Sequence, residues 1–213
     1  MKPNPVLKRL LETQRVQAKD RELPVTYCIS PQKGEWLYET VRTHRLKRCL
    51  EIGCLFGFSS LYLAQACSEI GGHLDIVDRP QQVVVWDGEP VDLGNAAERH
   101  IEEAGYNDRV TFYREYSHAA LPQLIALEKR YDFAFVDADH RFVSVLLDVI
   151  NVDRLLVVRG AVALDDLGPD MAYKEGMDGS ASRALAYVFA SSRYRIDTKG
   201  PTFCVCWKLS EPR

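Results

Sequence analysis

Apolar positions in the first 45 residues follow a helical period. In the segment VLKRLL at 6–11 the apolar residues fall on one side of a helix. A second helix is expected after Ser30-Pro31, where Ser30 would cap the helix and Pro31 would occupy its first turn. The beginning of the chain therefore predicts two helices.

From residue 49 short apolar runs alternate with helical segments. The runs that predict strands lie at 49–55, 73–78, 110–114, 131–137 and 160–166. The segments that predict helices lie at 59–69, 94–104, 119–129 and 142–155. Strands that alternate with helices of this length form a mostly parallel sheet, through right-handed crossovers that cover both of its faces.

The last third of the chain departs from this alternation. After a predicted helix at 182–191 come two strand-like runs, YRIDT and TFCVCWKL, joined by only three residues, 199–201. So short a link cannot hold a crossover helix, and the two strands must be antiparallel. The prediction is an α/β fold with a doubly wound, mostly parallel seven-stranded sheet and an antiparallel C-terminal hairpin. One domain is expected over 1–213, with N-terminal helices at 1–45 and a Rossmann-like core at 46–209.

Composition narrows the function classes. The chain has 213 residues, 46% hydrophobic and 27% charged, with a formal charge of −3. This charge gives no long-range field that would gather nucleic acid or anionic lipid. No stretch approaches a membrane span of about 18 apolar residues, and the first 21 residues lack the apolar core of a signal peptide. We therefore expect neither a nucleic-acid nor a membrane partner.

The six cysteines lie mostly within apolar runs and do not pair by spacing. Such cysteines usually behave as small buried hydrophobes, which fits a reducing cytoplasm. Cys204 and Cys206 alternate on a predicted strand and would face the same side. A metal site there lacks a second pair of ligands.

Acidic residues stand at the predicted strand ends, where open parallel sheets bind their ligands. Asp78 ends the second strand, where its carboxylate can accept ribose hydroxyls, unless it is an ordinary capping or surface residue. Glu51 precedes a turn that carries Gly53 and Gly57, without the glycine triplet of dinucleotide sites. A carboxylate there disfavours a diphosphate and suits a cationic ligand. The alternative is a plain tight turn.

Three further aspartates, Asp137, Asp165 and Asp166, end what should be neighbouring strands. Converging carboxylates repel one another, so they either take up protons more readily or bind a metal, and ligation by oxygen alone suits Mg²⁺. Alternatively, some of them cap helices or pair with arginines such as Arg141. His140 is either a general base for a hydroxyl or a residue that fixes its loop.

The segments LEIGCLFGFSS, HLDIVD, YDFAFVDADH and GAVALDDL resemble class I S-adenosylmethionine-dependent methyltransferases. More narrowly, they are similar to the small catechol and caffeoyl-CoA type O-methyltransferases and to bacterial relatives with an Asp-x-Asp-His segment. The resemblance covers about residues 28–209. It implies a Rossmann-like methyltransferase fold that binds S-adenosylmethionine and a divalent metal.

The resemblance also implies roles for individual residues. Asp137 would bind the metal and approach the substrate, and Asp165 and Asp166 would complete the metal site, although the family commonly has Asp-Asn where this chain has the last two. The catalytic candidates are therefore Asp137, from the resemblance, and His140, from its position after Asp139. Residues that would contact the cofactor are Glu51, Gly53, Cys54, Gly57, Ser59, Asp78, Ser117, His118 and Asp139. The segment Tyr116-Ser117-His118 departs from the family's Gly-Asp-Ala-like pattern at the adenine.

The function predicted from the sequence is methyl transfer from S-adenosylmethionine to a hydroxyl of a small molecule, with help from a divalent metal that is expected to be Mg²⁺. Alternatives are a metal-independent methyltransferase with His140 as base, a non-methylating protein on the same fold and, more distantly, a nicotinamide oxidoreductase. Two segments have no secure counterpart in the family. Residues 83–90 could form a lid, a wall of the substrate pocket, a subunit contact or a self-packed loop, and residues 168–179 could recognise the acceptor or form a linker. The Trp86 loop, which looks exposed, and the N-terminal helices suggest a homodimer.

Overall fold

A computed structural model describes residues 1–166 and 193–211 of the chain. The helices are α1 (Pro5–Thr13), α2 (Pro31–His44), α3 (Phe58–Ile70), α4 (Ala96–Glu103), α5 (Ser117–Ala126) and α6 (Phe142–Leu155). The strands are β1 (Arg15–Gln17), β2 (Glu22–Pro24), β3 (Arg48–Ile52), β4 (His73–Asp78), β5 (Val83–Trp86), β6 (Glu89–Asp92), β7 (Val110–Arg114), β8 (Tyr131–Val136), β9 (Leu156–Leu164), β10 (Tyr194–Gly200) and β11 (Phe203–Lys208). The predicted helix at 182–191 and the segment 168–179 lie outside the described residues.

Both predicted N-terminal helices are present, and their caps follow the sequence. The Asn4 side chain accepts a hydrogen bond from the Leu7 amide at 3.0 Å at the start of α1. Ser30 does the same for the Lys33 amide at 3.3 Å at the start of α2. A small antiparallel hairpin, β1–β2, lies between the two helices and was not predicted, because its three-residue strands are too short to show a period.

The main sheet has seven strands in the order β10-β11-β9-β8-β3-β4-β7. β9, β8, β3, β4 and β7 are parallel, whereas β11 pairs antiparallel with both β9 and β10. The doubly wound sheet with an antiparallel C-terminal hairpin is therefore confirmed. The chain moves outward from β3 through β4 to β7 and then returns to β8 on the other side of β3. The strand order reverses between β3 and β8, which is where such sheets bind ligands.

Two hydrophobic cores cover the faces of this sheet. On β8, Phe133 and Phe135 point into the core built with α1 to α4. Ala134 and Val136 point to the opposite face, where α5 and α6 supply the apolar partners. Because side chains on both faces of the parallel strands are buried, these strands appear in the sequence as continuous apolar runs.

The segment 83–90, expected as an insertion loop, belongs to the antiparallel hairpin β5–β6. The expectation that Trp86 is exposed is wrong, because its side chain is only 5% exposed. Its ring packs edge-on against Tyr27 at 4.6 Å and against Phe56 at 5.6 Å between ring centres. Val83 to Trp86 are all apolar, so the sequence shows no alternation, but their burial alternates along β5 and contacts with the N-terminal segment bury the inward side.

The prediction that the cysteines behave as small buried residues is confirmed for five of the six, while Cys28 is partly exposed. All six lie within the described residues and all are free. Cys204 and Cys206 share one face of β11, with their sulfur atoms 3.7 Å apart. Within 1–166 and 193–211, no helix has the length and apolar character needed to cross a bilayer.

Candidate functional site

A cavity of about 1000 Å³ opens at the carboxyl ends of the parallel strands. The turn after β3, the end of β4 and the segments that follow β8 and β9 form its floor. The N-terminal segment 26–33 and the β5–β6 hairpin form its walls, together with the start of α5 and the inner side of α6. The cavity therefore lies at the point where the strand order reverses.

Three backbone hydrogen bonds fix the strand ends beneath this cavity. The Gly53 amide donates to the Val77 carbonyl at 2.9 Å, the Asp137 amide to Ile52 at 3.0 Å and the Asp165 amide to Val136 at 3.4 Å. Gly53 has φ +86°, and a Cβ there would collide with the carbonyl oxygen of Asp137. Only glycine fits between the two strand ends, so Gly53 sets how closely the turn approaches Asp137.

Glu51 lies behind this turn and does not line the cavity. It is fully buried, and its Oε2 accepts a hydrogen bond of 2.5 Å from the Ser60 hydroxyl. Its Oε1 has no hydrogen-bond partner among the described residues. Burial, together with the negative charges of Asp137 and Asp78, raises the pKa of Glu51 to about 8, although the Ser59 and Ser60 hydroxyls oppose the shift.

Asp78 lines the cavity at the end of β4 and is held by two neighbours. Its Oδ2 accepts hydrogen bonds from Arg114 Nη1 at 2.8 Å and from Cys54 Sγ at 3.3 Å. Arg114 also donates to Glu98 through Nε at 2.6 Å. Within residues 1–166 and 193–211 the second oxygen, Oδ1, accepts no hydrogen bond, so the carboxylate is fixed in orientation while one oxygen stays available to a ligand.

The remaining residues predicted to contact a cofactor divide into two groups. Gly53, Cys54, Ser59, Ser117, His118 and Asp139 all line the cavity. Gly57 does not line the cavity. A Cβ at this position would lie 3.1 Å from Ala97 of α4, so Gly57 allows α4 to pack closely against the turn. Asp139 is held by Arg141 at 2.6 Å and by the Ser144 hydroxyl at 2.7 Å.

Asp137, His140 and Asp166 converge on the opposite side of the cavity. One potential ligand atom from each lies within 4.8 Å of the other two, a separation that suits a metal ion. His140 Nδ1 and Asp166 Oδ2 are 2.7 Å apart. Asp166 has φ +58°, a left-handed conformation that aspartate tolerates better than most residues, and this turn brings it toward His140.

Asp165 takes a different partner from Asp166. Its Oδ1 forms an ion pair with Lys33 Nζ, and the two side chains are only 5% and 18% exposed. The same oxygen accepts the Asp166 amide at 2.7 Å. Of the three aspartates predicted as metal ligands, the structure therefore brings Asp137 and Asp166 together with His140. The charge of Asp165 is neutralised by Lys33 of α2.

The close approach of the buried acids in this cluster raises the pKa values of its members. Burial raises the pKa of Asp137 well above its ordinary range, and the charges of Asp165 and Asp166 raise it further. The hydrogen bond with Asp166 raises the pKa of His140, against its burial. The cluster thus favours a bound proton or another cation, which is the expected response of converging carboxylates.

Three residues of the site were not found from the sequence. Lys33 and Arg114 each pair with an acid far away in the chain, and spacing carries no signal for such contacts. Asp148 lines the cavity from α6, but the sequence offers it only as one polar residue in an amphipathic helix. A polar residue on the buried side of that helix was the single available signal.

Comparison with known proteins gives a consistent set of matches. The model of a family described as "Methyltransferase domain" matches residues 50–167. A catechol O-methyltransferase of Niastella koreensis is 27% identical over 112 residues, which cover 52% of this chain and 46% of that protein. An Arabidopsis thaliana protein classed with the caffeoyl-CoA O-methyltransferases is 29% identical over 147 residues, 69% of this chain and 55% of the relative. The chain thus matches about half the length of these curated relatives.

Solved structures share the whole fold. An O-methyltransferase from Bacillus cereus in complex with SAH has a TM-score of 0.76 and 21% identity, covering 99% of this chain and 93% of that one. TomG from Streptomyces achromogenes, an O-methyltransferase of tomaymycin synthesis solved with SAM, has a TM-score of 0.72 and 20% identity, covering 98% and 92%. At these identities the likeness shows a common architecture.

Proposed function

The chain belongs to the methyltransferase domain family that its residues 50–167 match, and we propose that it transfers a methyl group from S-adenosylmethionine to a hydroxyl of a small molecule. The resemblance to the catechol and caffeoyl-CoA type O-methyltransferases is confirmed by that match and by the curated relatives. One observation carries the proposal: a single cavity has a fixed acid, Asp78, on one side and the cluster of Asp137, His140 and Asp166 on the other.

The Asp78 side of the cavity is proposed to bind the methyl donor. Arg114 and Cys54 hold one oxygen of Asp78, which leaves the other to accept ribose hydroxyls. Gly53 lets the backbone approach the amino acid part of the donor, with Cys54 and Ser59 beside it. Ser117, His118 and Asp139 surround the remainder of the nucleoside. Complexes of the Bacillus cereus and Streptomyces achromogenes enzymes with SAH and SAM support this assignment.

The cluster side is proposed to bind the acceptor oxygen. His140 is hydrogen-bonded to Asp166, so its ring is oriented, and its second nitrogen can take the hydroxyl proton. Asp137 lies beside it and is the second group able to accept that proton. Holding the oxygen in line with the methyl carbon supplies most of the rate enhancement in such a transfer.

The cluster also fits a divalent metal. Asp137, His140 and Asp166 would hold it, because their ligand atoms already converge and two of the donors are carboxylates. Asp165 would remain with Lys33 unless that pair opens. A bound divalent metal would favour the ionised form of the acceptor hydroxyl. Because one of the three donors is an imidazole, the set differs from the oxygen-only ligation that predicted Mg²⁺, and it also suits a transition metal.

A metal-independent transfer is the second candidate, and two contacts favour it. The His140–Asp166 pair resembles the base and orienting acid of other enzymes, at 2.7 Å. Lys33 already neutralises Asp165, which lowers the need for an added cation. A non-methylating protein on the same fold is the third.

One series of assays separates these candidates. Methyl transfer is measured over a panel of hydroxylated acceptors with Mg²⁺ and with EDTA, for the wild type, Asp166→Ala and His140→Ala. The metal-assisted proposal predicts that EDTA and Asp166→Ala each abolish transfer. Transfer that survives EDTA but is lost in His140→Ala identifies the metal-independent reaction. Binding of S-adenosylhomocysteine without turnover on any acceptor favours the non-methylating protein.

The proposal also includes the acceptor, the cellular location and the oligomeric state. The acceptor is proposed to be small and hydroxylated, in keeping with the names of the relatives. Six free cysteines, five of them buried, support a cytoplasmic location. The homodimer stays a prediction, which light scattering on the purified protein tests.

A further inference from the structure

Lys33 is a charged residue of the cavity whose ammonium is only partly used by the protein. It lies in the first turn of α2 and lines the cavity, and its side chain is only 18% exposed. A lysine ammonium has three N–H donors and no acceptor. One donor meets Asp165 Oδ1, and this ammonium makes no other hydrogen bond within residues 1–166 and 193–211. Two donors are therefore left for a ligand.

The ammonium of Lys33 lies beside the cluster that the proposed function assigns to the acceptor. Its partner Asp165 stands at the end of β9, and the Asp165 amide donates to the carbonyl of Val136, the residue before Asp137, at 3.4 Å. Burial raises the pKa of Asp137, and the charge of Lys33 opposes that rise. Lys33 is thus close enough to act on an oxygen that the cluster holds.

The other permanent cations that line the cavity are placed differently. Arg79 directly follows Asp78 on the side proposed for the methyl donor, and Arg141 Nη2 donates to Asp139 at 2.6 Å. Among the described residues, Lys33 is therefore the permanent cation of the cavity wall that stands next to the cluster and has donors to spare.

The chemistry of the acceptor needs such a donor. A hydroxyl that gives up its proton leaves an oxygen with a full negative charge, and a cavity shielded from water stabilises that charge poorly. A charged N–H donor that is already in place lowers this cost more than a neutral donor does. The ion pair with Asp165 holds the ammonium in place before the acceptor arrives.

We propose that Lys33 is a catalytic residue that donates a hydrogen bond to the acceptor oxygen as the proton of that oxygen leaves. This inference rests on the proposed function, which puts the acceptor oxygen at the cluster. The acceptor O–H bond breaks and its proton passes to His140. A lone pair of the oxygen then forms the bond to the methyl carbon, and the C–S bond breaks with its electron pair going to the sulfonium sulfur. Lys33 transfers no proton and stabilises the negative charge.

The test measures the ionisation of a phenol bound in the cavity. The probe is 4-nitrocatechol, because its absorbance distinguishes the phenol from the phenolate, and S-adenosylhomocysteine fills the donor side so that no methyl is transferred. Titrations with the full chain in EDTA give the pKa of the bound probe. We expect the wild type to lower that pKa by at least about 1 relative to free solution, and Lys33→Met to abolish the effect.

A double variant separates direct contact from neutralisation of Asp165. In Lys33→Met the Asp165 carboxylate loses its counter-ion and by itself disfavours a phenolate nearby. Lys33→Met/Asp165→Asn removes both charges, and we expect the pKa of the bound probe to stay at its value in free solution because the donor is still absent. Return of this pKa to the wild-type value would show that Lys33 only neutralises Asp165, and the proposal would be wrong.

A second lysine of the chain provides the matched control. Lys19 pairs with Asp92 at 2.9 Å and is not among the residues that line the cavity. Lys19→Met should therefore give the same pKa of the bound probe as the wild type. Unfolding midpoints establish that each variant is folded at the temperature of the titration.

The remaining outcomes distinguish this inference from the proposed function. A lowered pKa of the probe that appears only when Mn²⁺ is added assigns the stabilisation to a metal and overturns the role of Lys33. A wild type that binds S-adenosylhomocysteine but does not bind the probe, or binds it without lowering its pKa, overturns that role as well. A wild type that does not bind S-adenosylhomocysteine overturns the proposed function itself.

Discussion

His140 Nδ1 lies 2.7 Å from Asp166 Oδ2, and this contact joins the segment after β8 to the segment after β9. The two residues are 26 positions apart in the sequence. They meet because β8 and β9 are parallel neighbours whose carboxyl ends share one edge of the sheet. Both proposed reactions depend on this pair, as a ligand pair for a metal or as an oriented base.

Removal of the imidazole should therefore affect chemistry and leave donor binding intact. We expect His140→Ala to lower kcat for an acceptor used by the wild type by roughly 10²-fold or more. The affinity for S-adenosylhomocysteine should stay within about twofold, since His140 lies across the cavity from Asp78. Steady-state kinetics and calorimetry on the same preparations check both quantities. A rate within threefold of the wild type would exclude His140 from the reaction.

Lys33 should control both stability and metal affinity. Lys33→Met leaves Asp165 buried without its cation, and we expect the free energy of unfolding to fall by about 3 kcal/mol. The freed carboxylate can then join a metal site, so Mn²⁺ should raise the melting temperature of this variant more than that of the wild type. Thermal unfolding with Mn²⁺ and with EDTA measures the difference. Lys33→Arg is the control that keeps the charge, and an equal response of all three proteins to Mn²⁺ contradicts the account.

The Gly53 turn should tolerate no side chain. Gly53→Ala combines a left-handed φ of +86° with a collision against Asp137, and we expect a loss of at least about 3 kcal/mol. Gly71→Ala is a matched control, because Gly71 has φ +68° but no atom lies within 4 Å of a Cβ placed there. The backbone strain alone should therefore cost about 1 kcal/mol. Urea unfolding compares the two. Equal losses would mean that the close approach of Gly53 to Asp137 is unimportant.

Glu51 should make the protein less stable as the pH rises. Its pKa in the folded protein is about 8, above the value of an unfolded chain, so the folded state holds a proton that the unfolded state has released. The resulting stabilisation is complete below about pH 4 and is lost as the pH approaches 8, at about 1.4 kcal/mol per pH unit. Glu51→Gln should lower the slope of the unfolding free energy between pH 5.5 and 7.5 by about this amount in urea titrations, while the contributions of Asp137 and Asp148, whose pKa values are also raised, remain. The exposed Glu89→Gln should retain it, and an unchanged slope in Glu51→Gln would contradict the prediction.

The fold could be predicted from the sequence because its parallel strands are buried on both faces. Runs such as YDFAFVD are short and continuously apolar, which is typical of strands buried on both faces, and the acids that end them mark the ligand edge. The hairpin β1–β2 could not be predicted, since three residues show no period. The burial of Trp86 depends on Tyr27 and Phe56, which are distant in the chain.

The candidate site could be predicted only as a set of strand ends. Asp78, Asp137 and Asp166 follow directly from the positions at which strands stop. The partners that hold or neutralise such acids, Lys33 and Arg114, come from other elements, and no spacing rule links them. Asp165 and Asp166 are adjacent in sequence yet face different partners, a distinction set by the left-handed conformation at Asp166.

Binding of the methyl donor tests the central claim most directly. Isothermal titration with S-adenosylhomocysteine should give saturable binding at one site per chain. Asp78→Asn should weaken that binding at least about tenfold, because the ribose loses its charged acceptor, whereas the exposed Asp108→Asn should bind as the wild type does. Failure of the wild type to bind either S-adenosylhomocysteine or S-adenosylmethionine would contradict the account.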